Sequence, residues 1–168
     1  KHKIPALYRV HDGPSEERLS NLRLFLGELG LQLGGGDKPS SADYQALLGQ
    51  VADRPDANVI QMVMLRSLSQ AVYSPEEAGH FGLGFASYTH FTSPIRRYPD
   101  LIVHRAIKSR IHNPEATKDL VSPKVHDPEL AEYPYDYARM EQLGEHCSMT
   151  ERRADDATRD VMAWLKCE

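Results

Sequence analysis

Apolar residues return at three- and four-residue intervals in stretch after stretch of this chain, while every run that could pair as a strand is short. That spacing places side chains along one face of an α-helix. A large β-sheet is thereby excluded, and a helix-rich α+β architecture with a few short strands packed on helices is expected. Glycine and proline, 11 of each, divide the pattern into separate elements. At 168 residues the chain suits one domain with one core, and a core of that size needs no disulfide or metal to hold it.

Ala6–Val10 reads as a short strand leaving through Asp12-Gly13-Pro14, a turn signal. Ser15 can cap a helix carrying Leu19, Leu22, Phe25, Leu26 and Leu29, which Gly30 ends. Gly34-Gly35-Gly36 reads as a linker, because no neighbouring strand, lysine or G-x-G-x-x-G spacing makes it a phosphate cradle. Ser40 and Asp43 form a capping-box pair ahead of Tyr44, Leu47, Leu48 and Val51. After Pro55, Val59, Ile60, Met62, Val63, Met64, Leu65 and Leu68 crowd every face of one helix. A helix apolar all round is expected at the centre of a core, with the other helices and the segment around Pro94 and Pro99 packed about it.

Val72-Tyr73 and His80–Leu83 are strand-like, and Tyr88–Phe91 leads into Thr92-Ser93-Pro94. Pro99 and Asp100 open the next helix. Its inward stripe is expected to be Ile102, Val103, Ala106, Ile107 and Ile111, with Arg105 and Lys108 facing outward. Prolines 114, 123, 128 and 134 make residues 113–134 an irregular connection. A last helical stretch begins near Tyr137 with Met140, Leu143 and Cys147. The string Ser148-Met149-Thr150-Glu151 predicts a break and a fresh start, followed by an inward stripe of Ala154, Ala157, Val161, Trp164 and Leu165.

Charge is unevenly spread. The chain carries 24 acidic and 20 basic side chains, so bulk charge does not announce a nucleic-acid partner. Residues 96–110, however, hold Arg96, Arg97, Arg105, Lys108 and Arg110 against Asp100 alone, whereas 127–145 is mostly acidic. No apolar run is long enough to span a membrane. Cys147 and Cys167 lie about 30 Å apart along a helix, beyond disulfide reach, and are expected to be reduced, as in a cytoplasmic protein.

Chemistry concentrates in His90-Phe91-Thr92-Ser93-Pro94-Ile95-Arg96-Arg97-Tyr98-Pro99-Asp100-Leu101. Hydroxyls, adjacent guanidinium groups and a helix start each bind phosphate, and the interleaved aromatics suit stacking on unpaired bases. Composition alone leaves another reading open, a surface loop whose arginines pair with the acidic 127–145 region. No metal set is apparent. Asp155 and Asp156 are neighbours on a helix and point about 100° apart, which suits pairing with Arg152, Arg153 and Arg159 better than chelation. The 8 histidines show no zinc-like spacing.

The run Tyr88-x-His90-Phe91-Thr92-Ser93-Pro94-Ile95-Arg96-Arg97-Tyr98-x-Asp100-Leu101-x-x-His104-Arg105 resembles the signature of the ribonuclease II/ribonuclease R (RNB) family, and most of all its bacterial ribonuclease R branch. The likeness extends through Pro5–His11, Gly79–Leu83 and His146–Glu168. It implies that residues 1–168 are the C-terminal part of an RNB catalytic domain, truncated at both ends. The parent would be a processive 3′-to-5′ hydrolytic exoribonuclease, cytoplasmic and monomeric, which degrades single-stranded RNA to nucleoside 5′-monophosphates and acts on neither DNA nor membranes. Mg²⁺ would be held by aspartates upstream of this stretch, with no metal ligand in this chain, so the chain alone would be inactive.

The resemblance gives Arg96 the catalytic role, a fixed cation on the scissile phosphate; the family pattern favours it over Arg97 without deciding which points inward. Ser93 and Arg97 would touch phosphates, and Tyr98 and His90 would support the substrate-binding loop. Glu151 matches an acidic position near the family's active site, although it serves equally as capping partner of Ser148. The alternative function is a non-catalytic RNA-binding module.

Overall fold

The computed structural model describes residues 4–113, 129 and 132–167. Most of the connection expected at 113–134 therefore lies outside the described residues. The chain divides into two compact units rather than around one core. One comprises Val10–Ala71 and Glu77–Tyr88, the other Lys1–Arg9, Val72–Glu76 and Thr89–Glu168. Pro94 and Pro99 thus belong to a different unit from the helix expected to form a core with them.

The first of these units holds α1 (Glu16–Glu28), α2 (Ser41–Val51), α3 (Ala57–Ser67) and a short 3₁₀ turn, Phe81–Leu83. Local chemistry sets the helix ends. The Ser15 hydroxyl accepts from the Arg18 amide, and Ser40 and Asp43 form the reciprocal capping box. Gly30 terminates α1 in a left-handed conformation, φ 69°. There its amide donates to Gly27 O and that of Leu31 to Leu26 O, which satisfies carbonyls the helix end would otherwise leave bare.

Leu19, Leu22, Leu26, Tyr44, Leu47, Val51, Ile60 and Met64 pack into this unit's core, each aliphatic side chain contributing about 1.5–3 kcal/mol. The Tyr44 hydroxyl meets Ser67 Oγ at 2.9 Å, and that hydroxyl donates to Met64 O, so the polar atoms in this core are paired. α3 is not wrapped on all sides. Ile60, Met64 and Ser67 are buried, but Val59, Met62 and Leu65 are exposed, Leu65 to 70%. Three helices enclose one seam, and α3 lines it with one face only.

β1 (Tyr8–Val10) pairs with β2 (Val72–Ser74) as a two-stranded sheet, and the other unit takes in Tyr8 and Arg9 of β1, all of β2, α4 (Tyr98–His112) and α5 (Tyr137–Leu165). Leu7, Ile102 and Met140 form its fully buried centre, with Tyr133, Tyr135 and Leu143 against them. Tyr133 donates to Pro5 O at 2.7 Å, and burial pushes its phenol up to about 12. His80 makes isolated bridges with His11 and Phe85 instead of opening a strand, and no strand forms over Tyr88–Phe91.

On α4, Ile102, Ala106 and Ser109 face inward, whereas Ile107 and Ile111 are exposed. α5 runs unbroken through Ser148. Its hydroxyl donates to Gly144 O, four residues back, and accepts from the Tyr73 amide. Ser148 therefore ties helix to strand and caps nothing. The stripe of Ala154, Ala157, Val161, Trp164 and Leu165 is exposed throughout. Asp156 pairs with Arg159 as the charge pattern suggests. Cys147 is buried and Cys167 exposed, both as free thiols. No helix among the described residues is long and apolar enough to cross a membrane.

Candidate nucleic-acid interface

The signature run enters α4 through a tight turn. The amides of Arg96 and Arg97 both point to Ser93 O, at 3.3 and 3.0 Å. Pro94 stiffens the turn, and Ile95 stands fully in solvent at its crest. Asp100, on the first turn of α4, is completely buried. Its Oδ2 accepts from the Ser93 amide at 2.7 Å and from Arg97 Nη2 at 2.9 Å. Arg97 is thus committed to an internal ion pair. Arg96 is exposed, and its guanidinium has no hydrogen-bond or ion-pair partner among the described residues.

A second set of contacts surrounds Tyr73 on β2. Arg9, on β1, pairs with Glu151 of α5 at 2.6 Å and lies 4.5 Å above the Tyr73 ring. The Tyr73 hydroxyl meets His90 Nδ1 at 2.9 Å. The result is a continuous chain of contacts, Glu151–Arg9–Tyr73–His90. Burial, reinforced by Arg97 and Arg9, holds the His90 imidazole below its usual range, with Asp100 and Glu151 opposing. Burial and the Glu151 charge likewise push the Tyr73 phenol up. Arg97 and Asp100 therefore act on the same groups as Arg9 and Glu151, which places all six side chains in one electrostatic cluster of two cations, two anions, a phenol and an imidazole.

Of the residues singled out in the sequence, this cluster gathers His90, Arg97 and Glu151, and Ser93 is joined to it through Asp100. Glu151 is partnered by Arg9, not by the Ser148 amide. Tyr98 and Arg96 stand outside it. Tyr98 is 41% exposed, with Arg105 5.9 Å from its ring centroid, and Arg105 also donates to Tyr135 at 2.7 Å. Phe91, half-exposed, stacks on His104 with centroids 4.3 Å apart and planes 4° from parallel. Such a rigid exposed ring offers a base a stacking surface. The adjacent guanidinium groups expected to bind phosphate together thus divide: Arg97 is held within the unit, and Arg96 is left free to meet an anion.

Sequence reasoning missed Arg9, Tyr73 and the burial of Asp100. Only Asp100 carried a local signal, its place three residues after Arg97 at a helix start. Among the described residues no three His, Cys, Asp or Glu side chains gather closely enough to hold a metal ion. These residues alone do not fit a Mg²⁺ site.

Comparison with known proteins supplies the remaining observation. The RNB domain pattern matches residues 1–113. Over 168 residues the chain is 54% identical to ribonuclease R of Escherichia coli (strain K12), a match that takes in 100% of this chain and 20% of that protein. It is 56% identical over 169 residues to ribonuclease R of Vibrio cholerae, again over 100% of this chain and 20% of the relative. Mycoplasma genitalium RNase R, solved in complex with ribose methylated single-stranded RNA, superposes with a TM-score of 0.75 at 30% identity, over 97% of this chain and 24% of that one. The chain thus spans about a fifth of the length of the curated relatives it matches.

Proposed function

The chain belongs to the RNB family, and from that premise we propose that it is the C-terminal part of the catalytic domain of a processive 3′-to-5′ exoribonuclease. The full-length protein degrades single-stranded RNA to nucleoside 5′-monophosphates. It works in the cytoplasm as a monomer, on RNA and not DNA. This stretch provides the loop that meets the terminal phosphodiester, while Mg²⁺ is held by aspartates outside it.

One observation carries the reading. Of two adjacent arginines in the signature, Arg97 is neutralised internally by Asp100, and Arg96 is presented to solvent from a turn closed at both ends. A guanidinium is charged at every working pH and offers a planar fork of donors to phosphoryl oxygens. Charge grows on those oxygens as the phosphodiester is attacked, so a cation held in advance helps the transition state more than the bound substrate. Ser93, Tyr98, His90, Arg97 and Glu151 support substrate binding around it, and Phe91 offers a stacking surface for a base.

The test uses the full-length protein, with single-turnover degradation and RNA titration read side by side. Arg96→Ala is expected to lower turnover by roughly a hundredfold while weakening affinity only modestly. Arg96→Lys should restore little, because an ammonium lacks the fork. Lys108→Ala, on the outer face of α4, should act only through salt-dependent affinity. Unchanged turnover in Arg96→Ala would transfer the role to Arg97. RNA binding without any turnover in the full-length protein would instead establish the non-catalytic RNA-binding module. This chain alone is expected not to shorten a 3′-labelled RNA.

A further inference from the structure

We propose that Asp100 is a positioning residue for the reaction, the group that holds the Ser93–Arg97 turn in the one shape that displays Arg96. The inference rests on the function proposed above for Arg96. It starts from a cost. A fully buried carboxylate is unfavourable unless donors replace the water it has lost. Asp100 is 0% exposed, and its donors come from the two ends of a single turn. The Ser93 amide lies at the start of that turn and the Arg97 guanidinium at its end, and both converge on Oδ2.

Ser93 is held through both of its backbone groups, since its carbonyl takes the Arg96 and Arg97 amides while its amide meets Asp100. The carboxylate itself is anchored. It lies on α4 two residues before Ile102, which is fully buried in the core of this unit. The turn between those ends contains Pro94, the fully exposed Ile95 and the exposed Arg96. Because the Arg96 side chain has no partner among the described residues, its position follows from its backbone, and Asp100 is what anchors that backbone to α4.

The backbone bonds to Ser93 O close the turn itself, and Asp100 fixes the closed turn to α4. Asp100 Oδ1 and Arg97 Nε are buried without hydrogen-bond partners among the described residues. Weakening the Oδ2 contacts would leave the carboxylate with no alternative donor and let the turn shift relative to α4. Displacing a reacting group by about 1 Å can lower a rate by about a hundredfold without altering what the substrate touches elsewhere. The effect of Asp100 should therefore pass through Arg96 and appear in turnover, not in affinity.

A double-mutant cycle in the full-length protein tests this. Asp100→Asn keeps the shape of the side chain and an acceptor for Ser93 but removes the ion pair with Arg97. It is expected to lower the single-turnover rate about tenfold or more, with RNA affinity held within about twofold. In an Arg96→Ala background the same change should cost less than about twofold, because the group it positions is gone. A purely structural role would produce the same loss in both backgrounds, and that result would overturn the inference, as would undiminished turnover in Asp100→Asn. Should Asp100→Asn lose its cooperative melt, Arg97→Met breaks the clasp from its partly exposed end and is judged by the same cycle. If Arg96→Ala itself leaves turnover intact, the function proposed for Arg96 fails and takes this inference with it. A large Arg96 effect with no Asp100 effect refutes the positioning role alone.

Discussion

Gly144 lies inside α5 where the helix passes close to β2, and replacing it with alanine sets two known effects against each other. In an ordinary helix interior the change is favourable by about 0.5–1 kcal/mol, since alanine orders at less entropic cost. At Gly144 an added Cβ would stand 2.6 Å from Tyr73 O, 3.1 Å from Tyr73 C and 3.2 Å from Leu7 Cδ2. The nearest of these is strand backbone, which cannot rotate aside. The helix would have to withdraw from the strand, at an overpacking cost of about 1–3 kcal/mol. The contact also carries the Ser148 hydroxyl bridging the Tyr73 amide and Gly144 O at 2.8 and 2.7 Å. Losing one of those buried bonds would add about 1–3 kcal/mol. Gly144→Ala is therefore expected to destabilise the chain by about 1–5 kcal/mol net of the alanine gain. Gly27 and Gly49, on α1 and α2, have open space where a Cβ would go, and their alanine variants should gain about 0.5–1 kcal/mol each. Urea unfolding followed by far-ultraviolet circular dichroism compares all three. A Gly144→Ala chain as stable as the other two would refute the close approach of α5 to β2.

The exposed outer face of α3 means that Leu65→Asp should shift stability by less than about 0.5 kcal/mol, whereas Ile60→Asp, fully buried on the same helix, should unfold its unit; urea titration of the pair decides, and unfolding by Leu65→Asp would restore the wrapped helix. His90 gives a pH dependence whose sign follows from burial. Its imidazole is held below the ordinary value of 6.5 in the folded chain, so the unfolded chain takes up the proton first and stability falls as pH drops from about 6.5 toward the folded value. His90→Gln should flatten that slope below about pH 6.5, and an unaltered slope in thermal melts over this range would show that His90 does not contribute it.

Much of this chain is legible from neighbours a few residues apart. The caps at Ser15 and at Ser40 with Asp43, the left-handed stop at Gly30 and the start of α4 at Pro99 depend on contacts within one turn, and each stands where its residues indicate. The signature run is equally local, which is why the family could be read from it. Periodicity, by contrast, reports that a helix has an apolar face and not what covers it; hence the outer face of α3 and the end of α5 look like core and lie exposed. The string Ser148-Met149-Thr150-Glu151 has the same letters at a helix start and in a helix middle. A strand amide and an arginine on β1 decided between them, and Arg9 lies 142 residues from Glu151. Arg96 and Arg97 are chemically identical, so sequence alone could nominate the pair but not separate its members. Folding separated them by burying Asp100 beneath the turn, because a carboxylate withdrawn from water must take the nearest cation as its partner, and that cation is Arg97.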